Sequence, residues 1–303
     1  TVLFAAGGAS ASASVDAGLL ALAPPGSKVV AAVDASRARG SQFGQFLINR
    51  ALASDSNFER FLAETGFDPR RDLQDFVFAA TGDPNSAGVI LARGNFDPAR
   101  IGAAAKARGA SVQTYRGVDL ILNSARAHES AAAFLAPDIA VMADVATVEE
   151  VIRRRSVPAK LDPALQRLIA GVGGNGAWFV SVSAGTLAAP EVARWNRTAA
   201  SAVQSIVEAS GGIRFTDPLA VTLHAVTGSP QEAEALSVVV RGLAAFARMG
   251  HPTEPYLAVL ASARDMNIGA DGSTVDLSFS IPEKEAEHLA RYFPQTGSAA
   301  RPR

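Results

Sequence analysis

Residues 111–123 read SVQTYRGVDLILN and predict a β-hairpin, the local structure that decides the class of fold. Two segments rich in β-branched and aromatic residues flank the dipeptide Arg116-Gly117, and a connection this short joins antiparallel strands. A second hairpin is predicted around Asp271-Gly272, and a strand pair around Asp83-Pro84-Asn85. Because parallel strands need a long crossover connection, these turns disfavour a doubly wound parallel sheet.

Helix starts are marked by a capping residue followed by proline, at Asp97-Pro98, Asp162-Pro163 and Ser229-Pro230. Each half of the chain runs through a strand, a long helix, a strand pair, a proline-capped helix, a hairpin and a closing helix. Val118-Asp119-Leu120 and Val275-Asp276-Leu277 occupy the second arm of each hairpin. A chance likeness between two α+β halves is the alternative to duplication.

The sequence therefore predicts an α+β fold of two similar units, each a mostly antiparallel sheet covered by helices on one face. We expect the units to span residues 27–160 and 161–293. An N-terminal segment, 1–26, is expected to precede them, and a loose tail, 294–303, to follow.

Composition excludes several classes of function. The chain has 303 residues, 48% of them hydrophobic, a formal net charge of −1 and no cysteine. A core of ordinary size can form, whereas no overall positive charge is available to attract nucleic acid. Disulfides, cysteine-ligated metals and thiol nucleophiles are absent from the sequence.

The first residues resemble the end of a secretory signal peptide. A short apolar run, Val2–Ala6, is followed by small residues with the A-x-A pattern at Ala11-Ser12-Ala13. We expect an extracytoplasmic protein, periplasmic or secreted, and a flexible N-terminus of a cytosolic protein is the alternative. No apolar run reaches the ~18 residues that a membrane-spanning helix needs, so no transmembrane segment is predicted in the mature chain.

Three stretches carry a resemblance to a known class of protein. They read LLALAPPGSKVVAAVD at 19–34, FLAETGFDPRRDLQDFVFA at 61–79 and VILARGNFDPARI at 89–101. In this order they are similar to a class of uncharacterised bacterial exported proteins. The resemblance covers most of residues 20–290. The resemblance implies a fold and an extracytoplasmic location, and it identifies no catalytic residue.

The stretch GVGGNG at 171–176 has the glycine spacing of a dinucleotide-binding fingerprint. That motif requires a strand before the glycines and a helix after them, so that the phosphate meets the helix N-terminus. Here the sequence predicts the reverse order. The phosphate would meet the negative end of a helix dipole, and we interpret the stretch as a helix end and a turn. No cofactor is predicted.

The four histidines, His128, His224, His251 and His288, lack metal-ligand spacing, so no metal site is predicted. Asp119 and Asp276 could face each other as an acid–base pair if the halves are related by symmetry. The alternation of Val-Asp-Leu instead favours a solvent-facing position for both carboxylates.

Two tryptophans and two arginines form the candidate ligand-binding site, without a catalytic residue: Trp178, Arg194, Trp195 and Arg197. They could line an aromatic groove for a glycan or peptide, whereas packing in the core is the more common role of such aromatic residues. The sequence favours a non-enzymatic, exported binding or envelope-associated protein. A secreted hydrolase with carboxylates in a cleft between the units and a cytosolic interaction domain are the alternatives.

Overall fold

The structure is a computed structural model that describes residues 15–53, 58–82, 88–123, 130–157, 160–193, 197–250 and 255–291. The strands are β1 (Val29–Asp34), β2 (Leu73–Ala80), β3 (Val89–Gly94), β4 (Ser111–Tyr115), β5 (Val118–Asn123), β6 (Ser130–Ala136), β7 (Ile139–Asp144), β8 (Ala177–Ser181), β9 (Ile206–Arg214), β10 (Leu219–Thr227), β11 (Arg264–Asp271) and β12 (Thr274–Ile281).

The helices of the described chain are α1 (Ala17–Leu22), α2 (Ala35–Arg39), α3 (Gln42–Ala53), α4 (Phe58–Thr65), α5 (Pro69–Asp72), α6 (Pro98–Ala107), α7 (Val145–Arg154), α8 (Pro163–Val172), α9 (Ala184–Ala193), α10 (Arg197–Gln204), α11 (Pro230–Met249), α12 (Pro255–Ser262) and α13 (Glu283–Ala290). No helix among these residues combines the length and hydropathy needed to cross a membrane.

The twelve strands form one antiparallel sheet in the order β11-β12-β10-β9-β8-β1-β2-β3-β7-β6-β5-β4. The predicted α+β class with antiparallel strands is confirmed. The strands of the two halves belong to one continuous sheet, because β1 of the first half pairs with β8 of the second. The sequence did not predict this junction.

Alternate residues of a strand point to opposite faces of the sheet. The core clusters around the strands of the two halves lie on opposite faces. The first face carries Val30, Val77 and Leu91, which belong to the largest core cluster with side chains of α1, α7 and α8. The second face carries Val221 and Phe279, which pack with side chains of α3, α12 and α13.

The register across the centre of the sheet establishes that these faces differ. Trp178 pairs with Gly212 in the neighbouring strand, whereas the next residue, Phe179, pairs with Gly211. Gly211 in turn pairs with Leu223 of β10. Since directly opposed residues share a face, Trp178 lies on the first face and Leu223 on the second.

Strand order is similar in the two halves once the hairpin β4–β5 is set aside. The first half then runs β1-β2-β3-β7-β6, and the second runs β8-β9-β10-β12-β11. Duplication of a common unit stays a prediction. The two Val-Asp-Leu segments do not correspond in this order, since β12 takes the place of β7 and β5 has no counterpart.

The predicted helix starts at Asp97, Asp162 and Ser229 are confirmed, two local predictions are wrong, and one strand was not predicted. The side chains of Asp97, Asp162 and Ser229 each accept a hydrogen bond from the first turn of the following helix. Residues 190–210 read PEVARWNRTAASAVQSIVEAS, a composition that predicts one long helix. In the structure α10 ends at Gln204, and 206–210 belongs to β9. Thr147, three residues before Glu150, is the capping residue that the sequence predicts for α7. The structure has Asp144 at this position of the helix instead, and β6 was not predicted.

Four predictions lie outside the described residues. They are the signal-peptide pattern at 11–13, a helix cap at Ser56 with Glu59 three residues later, the turn at 83–85 and the tail 294–303.

A carboxylate cluster lies on the first face where β1, β2 and β3 meet. Asp75 pairs across strands with Asp34 on one side and Arg93 on the other. Burial raises the pKa of the Asp75 carboxyl above its usual value, and the negative charges of Asp34 and Asp16 add to this effect. The folded protein therefore holds this proton to a higher pH than the unfolded chain, so stability falls as pH rises through the folded pKa.

We expect Asp75→Asn to raise the melting temperature at pH 7 by about 1–3 °C, because the variant removes a half-buried charge beside like charges. Asp72→Asn is the matched control, since hydrogen bonding with Arg71 lowers the pKa of Asp72. That variant should destabilise the protein at pH 7, with a loss that shrinks as pH falls. Thermal melts between pH 4 and 8 would contradict the interpretation if Asp75→Asn were no more stable than the wild type at pH 7.

Candidate functional site

Helix α6 is fixed to the second face of the sheet at its N-terminal end. Asp97 caps the helix by accepting a hydrogen bond from the backbone N–H of Arg100, at 3.0 Å, and Pro98 occupies the first turn. The preceding Phe96 stacks on Phe67 with ring centroids 5.0 Å apart. Phe96 also lies 5.5 Å from the ring of Phe134 on β6, so aromatic contacts connect the start of α6 to the sheet.

The outer side of α6 is held by α4. The guanidinium of Arg108 lies 2.8 Å from the carboxylate of Glu64 at the end of α4, and the two helices pack side by side. No residue of α6 is fully buried. The helix therefore lies above the sheet without tight packing against it.

A groove of about 480 Å³ separates α6 from the hairpin β4–β5 and from β6. Its roof consists of small residues on one side of α6, namely Ala99, Gly102 and Ala103. A Cβ atom placed on Gly102 would meet no atom within 4 Å. Small residues on the helix thus leave the space open, and its volume is within the range of small-molecule pockets.

The floor of the groove is apolar and its rim is charged. Val112, Ile121 and Phe134 line it from three adjacent strands, and the charged residues of the lining are Lys106 and Asp119. Both charged residues are exposed. The carboxylate of Asp119 accepts a hydrogen bond from the hydroxyl of Thr114, at 2.8 Å.

A second pocket of about 420 Å³ lies at the N-terminal end of α6, and Pro98 lines both cavities. Its lining includes Arg71 and Arg100 together with Asp72 and Asp97. The Arg71 guanidinium lies 2.8 Å from the Asp72 carboxylate and lowers the pKa of that group. The charges of this pocket therefore largely neutralise one another.

The groove floor continues along the sheet as an apolar row. Cross-strand pairing connects Ile121, Ala132, Met142, Ile90, Phe78, Ala31 and Phe179, one residue from each of seven adjacent strands. The exposed fractions of Met142 and Phe179 are 47% and 37%. An exposed contiguous apolar surface is typical of binding sites, so the row extends the candidate site beyond the groove.

Of the four residues of the predicted Trp/Arg site, the structure describes Trp178 and Arg197, on elements that lie at opposite faces of the sheet. Trp178 lies in the core of the first face with an exposed fraction of 4%. Arg197 is exposed at the start of α10, and α10 packs on the second face through Ala202. Arg194 and Trp195 lie outside the described residues, so the glycan or peptide groove stays a prediction.

The alternative in which Asp119 and Asp276 face each other is wrong, whereas the exposure of both side chains agrees with the favoured solvent-facing position. Their strands, β5 and β12, are the eleventh and second of the sheet, which separates them by roughly 40 Å at ~4.8 Å per strand. They also point to opposite faces, since Asp119 lines the groove and Asp276 lies opposite His224 on the first face. Asp119 and Asp276 therefore do not form an acid–base pair, and the secreted-hydrolase alternative stays a prediction without them.

Asp276 instead contacts His224, with Nδ1 and a carboxylate oxygen 2.5 Å apart. Both side chains are about half exposed, as predicted for a strand face. His288 is exposed on α13, whereas His128 and His251 lie outside the described residues. Within the described ranges, no cluster of three or more His, Asp or Glu residues could hold a metal ion.

The glycine stretch has the predicted order of a helix, a turn and a strand. Helix α8 ends at Val172, and β8 begins at Ala177. A Cβ atom on Gly176 would lie 2.5 Å from the ring of Phe215, so this glycine permits close packing. The turn follows the C-terminal end of α8, which is the negative end of that helix dipole.

Apart from Asp119, the residues that line the groove were not predicted from the sequence. One signal was present: α6 reads PARIGAAAKA, with Ile101 as its one large apolar side chain. At the height where this helix lies, its small side chains do not fill the space above the sheet, and the hydrophobic residues of β4–β6 that face it remain partly uncovered.

Comparison with known proteins identifies the fold and leaves the function open. Crystal form III of TP0453 matches with a TM-score of 0.60 at 11% identity, over 92% of this chain and 99% of that one. Crystal form IV of TP0453 matches with a TM-score of 0.55 at 10% identity, over 91% and 96% of the two chains. No protein-family model and no curated protein matches the sequence. At this identity the likeness shows the fold alone.

Proposed function

We propose that this chain is a non-enzymatic binding protein that holds the apolar chain of a small molecule in the groove beneath α6. The observation that carries the proposal is the combination of an apolar floor with a roof of small residues. A long acyl-type chain fits this shape, because it is narrow and needs few polar partners. The apolar row offers such a chain a continuous path beyond Phe134.

The proposal includes the extracytoplasmic address that the sequence predicts. Cleavage after Ala13 would retain Val15, which belongs to the largest core cluster and is 2% exposed. The described contacts of α1 would remain in place after such cleavage.

Gly102→Leu is the decisive variant, because a leucine side chain at this position would occupy the groove. Leucine also has a helix propensity about 1 kcal/mol better than glycine, and a Cβ meets no neighbour there. We expect the affinity for parinaric acid, a fluorescent long-chain fatty acid, to fall at least tenfold in this variant. The melting temperature should stay the same or rise.

Gly242→Leu in α11 is the matched control, since this glycine also has no atom within 4 Å of a Cβ position and is remote from the groove. It should gain helix stability and bind parinaric acid like the wild type. Binding of parinaric acid is measured by fluorescence titration of the wild type and both leucine variants. The proposal is refuted if the wild type shows no saturable binding, or if both leucine variants bind the probe equally well.

A further inference from the structure

The two edges of the sheet differ in how they are protected against strand addition. The edge strand β11 carries Arg264, Asp265 and Asp271. Asp265 has a positive φ of 50°, and the pairing of β11 with β12 shifts register between Arg264 and Asn267. Charges and irregular backbone on an edge strand oppose pairing with another chain.

The opposite edge strand, β4, has none of these features. It reads SVQTY, without charge or proline, and all five residues pair with β5 in regular register. No strand of the described chain pairs with its outer side. An uncharged and regular edge of this kind is a template for a further strand.

The turn of the hairpin determines which backbone groups of β4 face outward. Arg116 and Gly117 both have positive φ, at 48° and 77°, as in a two-residue type I′ turn. Tyr115 and Val118 therefore form the hydrogen-bonded pair beside the turn, and the bonding alternates along β4. The N–H and C=O groups of Val112 and Thr114 consequently point away from β5.

We propose that β4 pairs in antiparallel fashion with β4 of a second copy of this chain, about a two-fold axis at Gln113. This register pairs all five residues. Val112 exchanges two backbone hydrogen bonds with Thr114 of the second copy, and Thr114 exchanges two with Val112 of the second copy. The twelve-stranded sheets of the two copies would then be continuous.

A second copy is the occupant that the side chains favour. Val112 would face Thr114 of the second copy, a pair of β-branched residues suited to adjacent strands. Gln113 would face its own counterpart without a charge conflict, and Ser111 would face Tyr115. Because Val112 lines the groove, the grooves of the two copies would lie on either side of the shared strands.

Charge substitution at Gln113 tests this arrangement without disturbing the fold, since the residue is exposed. Gln113→Lys and Gln113→Glu each place like charges directly opposite each other on the axis. We expect the dimer dissociation constant of each variant, measured by sedimentation equilibrium, to rise about tenfold. An equimolar mixture of the two variants should restore association by forming a heterodimer.

The matched controls are Asn267→Lys and Asn267→Glu on the exposed edge strand β11, which should dimerise like the wild type. Circular dichroism establishes that every variant is folded. The proposal is overturned if the wild type remains monomeric at high concentration, if the Gln113 variants dimerise unchanged, or if their mixture fails to associate. A monomer that captures an unrelated extended peptide at β4 would also overturn it.

Discussion

Gly44→Ala is expected to destabilise the protein by about 3 kcal/mol, although alanine is the better helix former. A Cβ atom on Gly44 would lie 2.0 Å from the backbone oxygen of Ala38 and 2.6 Å from its carbonyl carbon. These are backbone atoms, so no side-chain rotation relieves the overlap. Helices α2 and α3 would have to separate, which disturbs the contacts that Phe43 makes in the second-face core.

Urea denaturation monitored by circular dichroism measures this loss. Gly102→Ala and Gly242→Ala are the controls, because neither position has an atom within 4 Å of the added Cβ. Both should be stabilised by up to about 1 kcal/mol. A Gly44→Ala variant as stable as these controls would mean that α2 and α3 do not cross as closely as the structure shows.

The contrast between these glycines shows where sequence patterns stop being informative. The spacing of the apolar residues at 41–53 predicts a helix, and the structure has α3 over Gln42–Ala53. The apolar spacing does not distinguish Gly44 from Gly102, since each lies inside a helical segment. The difference arises from the angle at which α2 meets α3, which is a property of the tertiary structure.

The strands show the same division between local and long-range information. Two-residue turns fix their own hairpins, and β4–β5 and β11–β12 are therefore confirmed. The residues of β6, SAAAFLA, include no β-branched residue, so propensity gives little signal for a strand. The pairing of β1 with β8 joins segments more than 140 residues apart, and no local pattern encodes it.

The candidate site was missed for a related reason. The candidates in the sequence were charged and aromatic residues, and one of them, Trp178, is buried in the structure. The groove consists instead of alanines and a glycine facing ordinary strand residues. Its existence depends on the height of α6 above the sheet, which the contacts of Phe96 and Arg108 determine.

Leu120→Ala is expected to lower the free energy of unfolding by about 3 kcal/mol, because Leu120 is fully buried in the first-face core. The neighbouring residue on β5, Ile121, points to the opposite face and lines the groove. Ile121→Ala should therefore cost only about 1 kcal/mol, since this side chain is half-buried and its loss enlarges a space that is already open.

For ligand binding we expect the opposite order: Ile121→Ala should have the larger effect on affinity and Leu120→Ala the smaller one. At a temperature where both variants are folded, Leu120→Ala leaves the groove lining intact and should bind parinaric acid within about twofold of the wild type. Ile121→Ala removes part of the floor and should weaken binding about tenfold, the effect of losing one well-packed apolar contact. Equal effects of the two substitutions on stability would contradict the assignment of the faces. Unchanged binding by Ile121→Ala would exclude the groove as the site where the probe is held, because the floor would then make no contact with it.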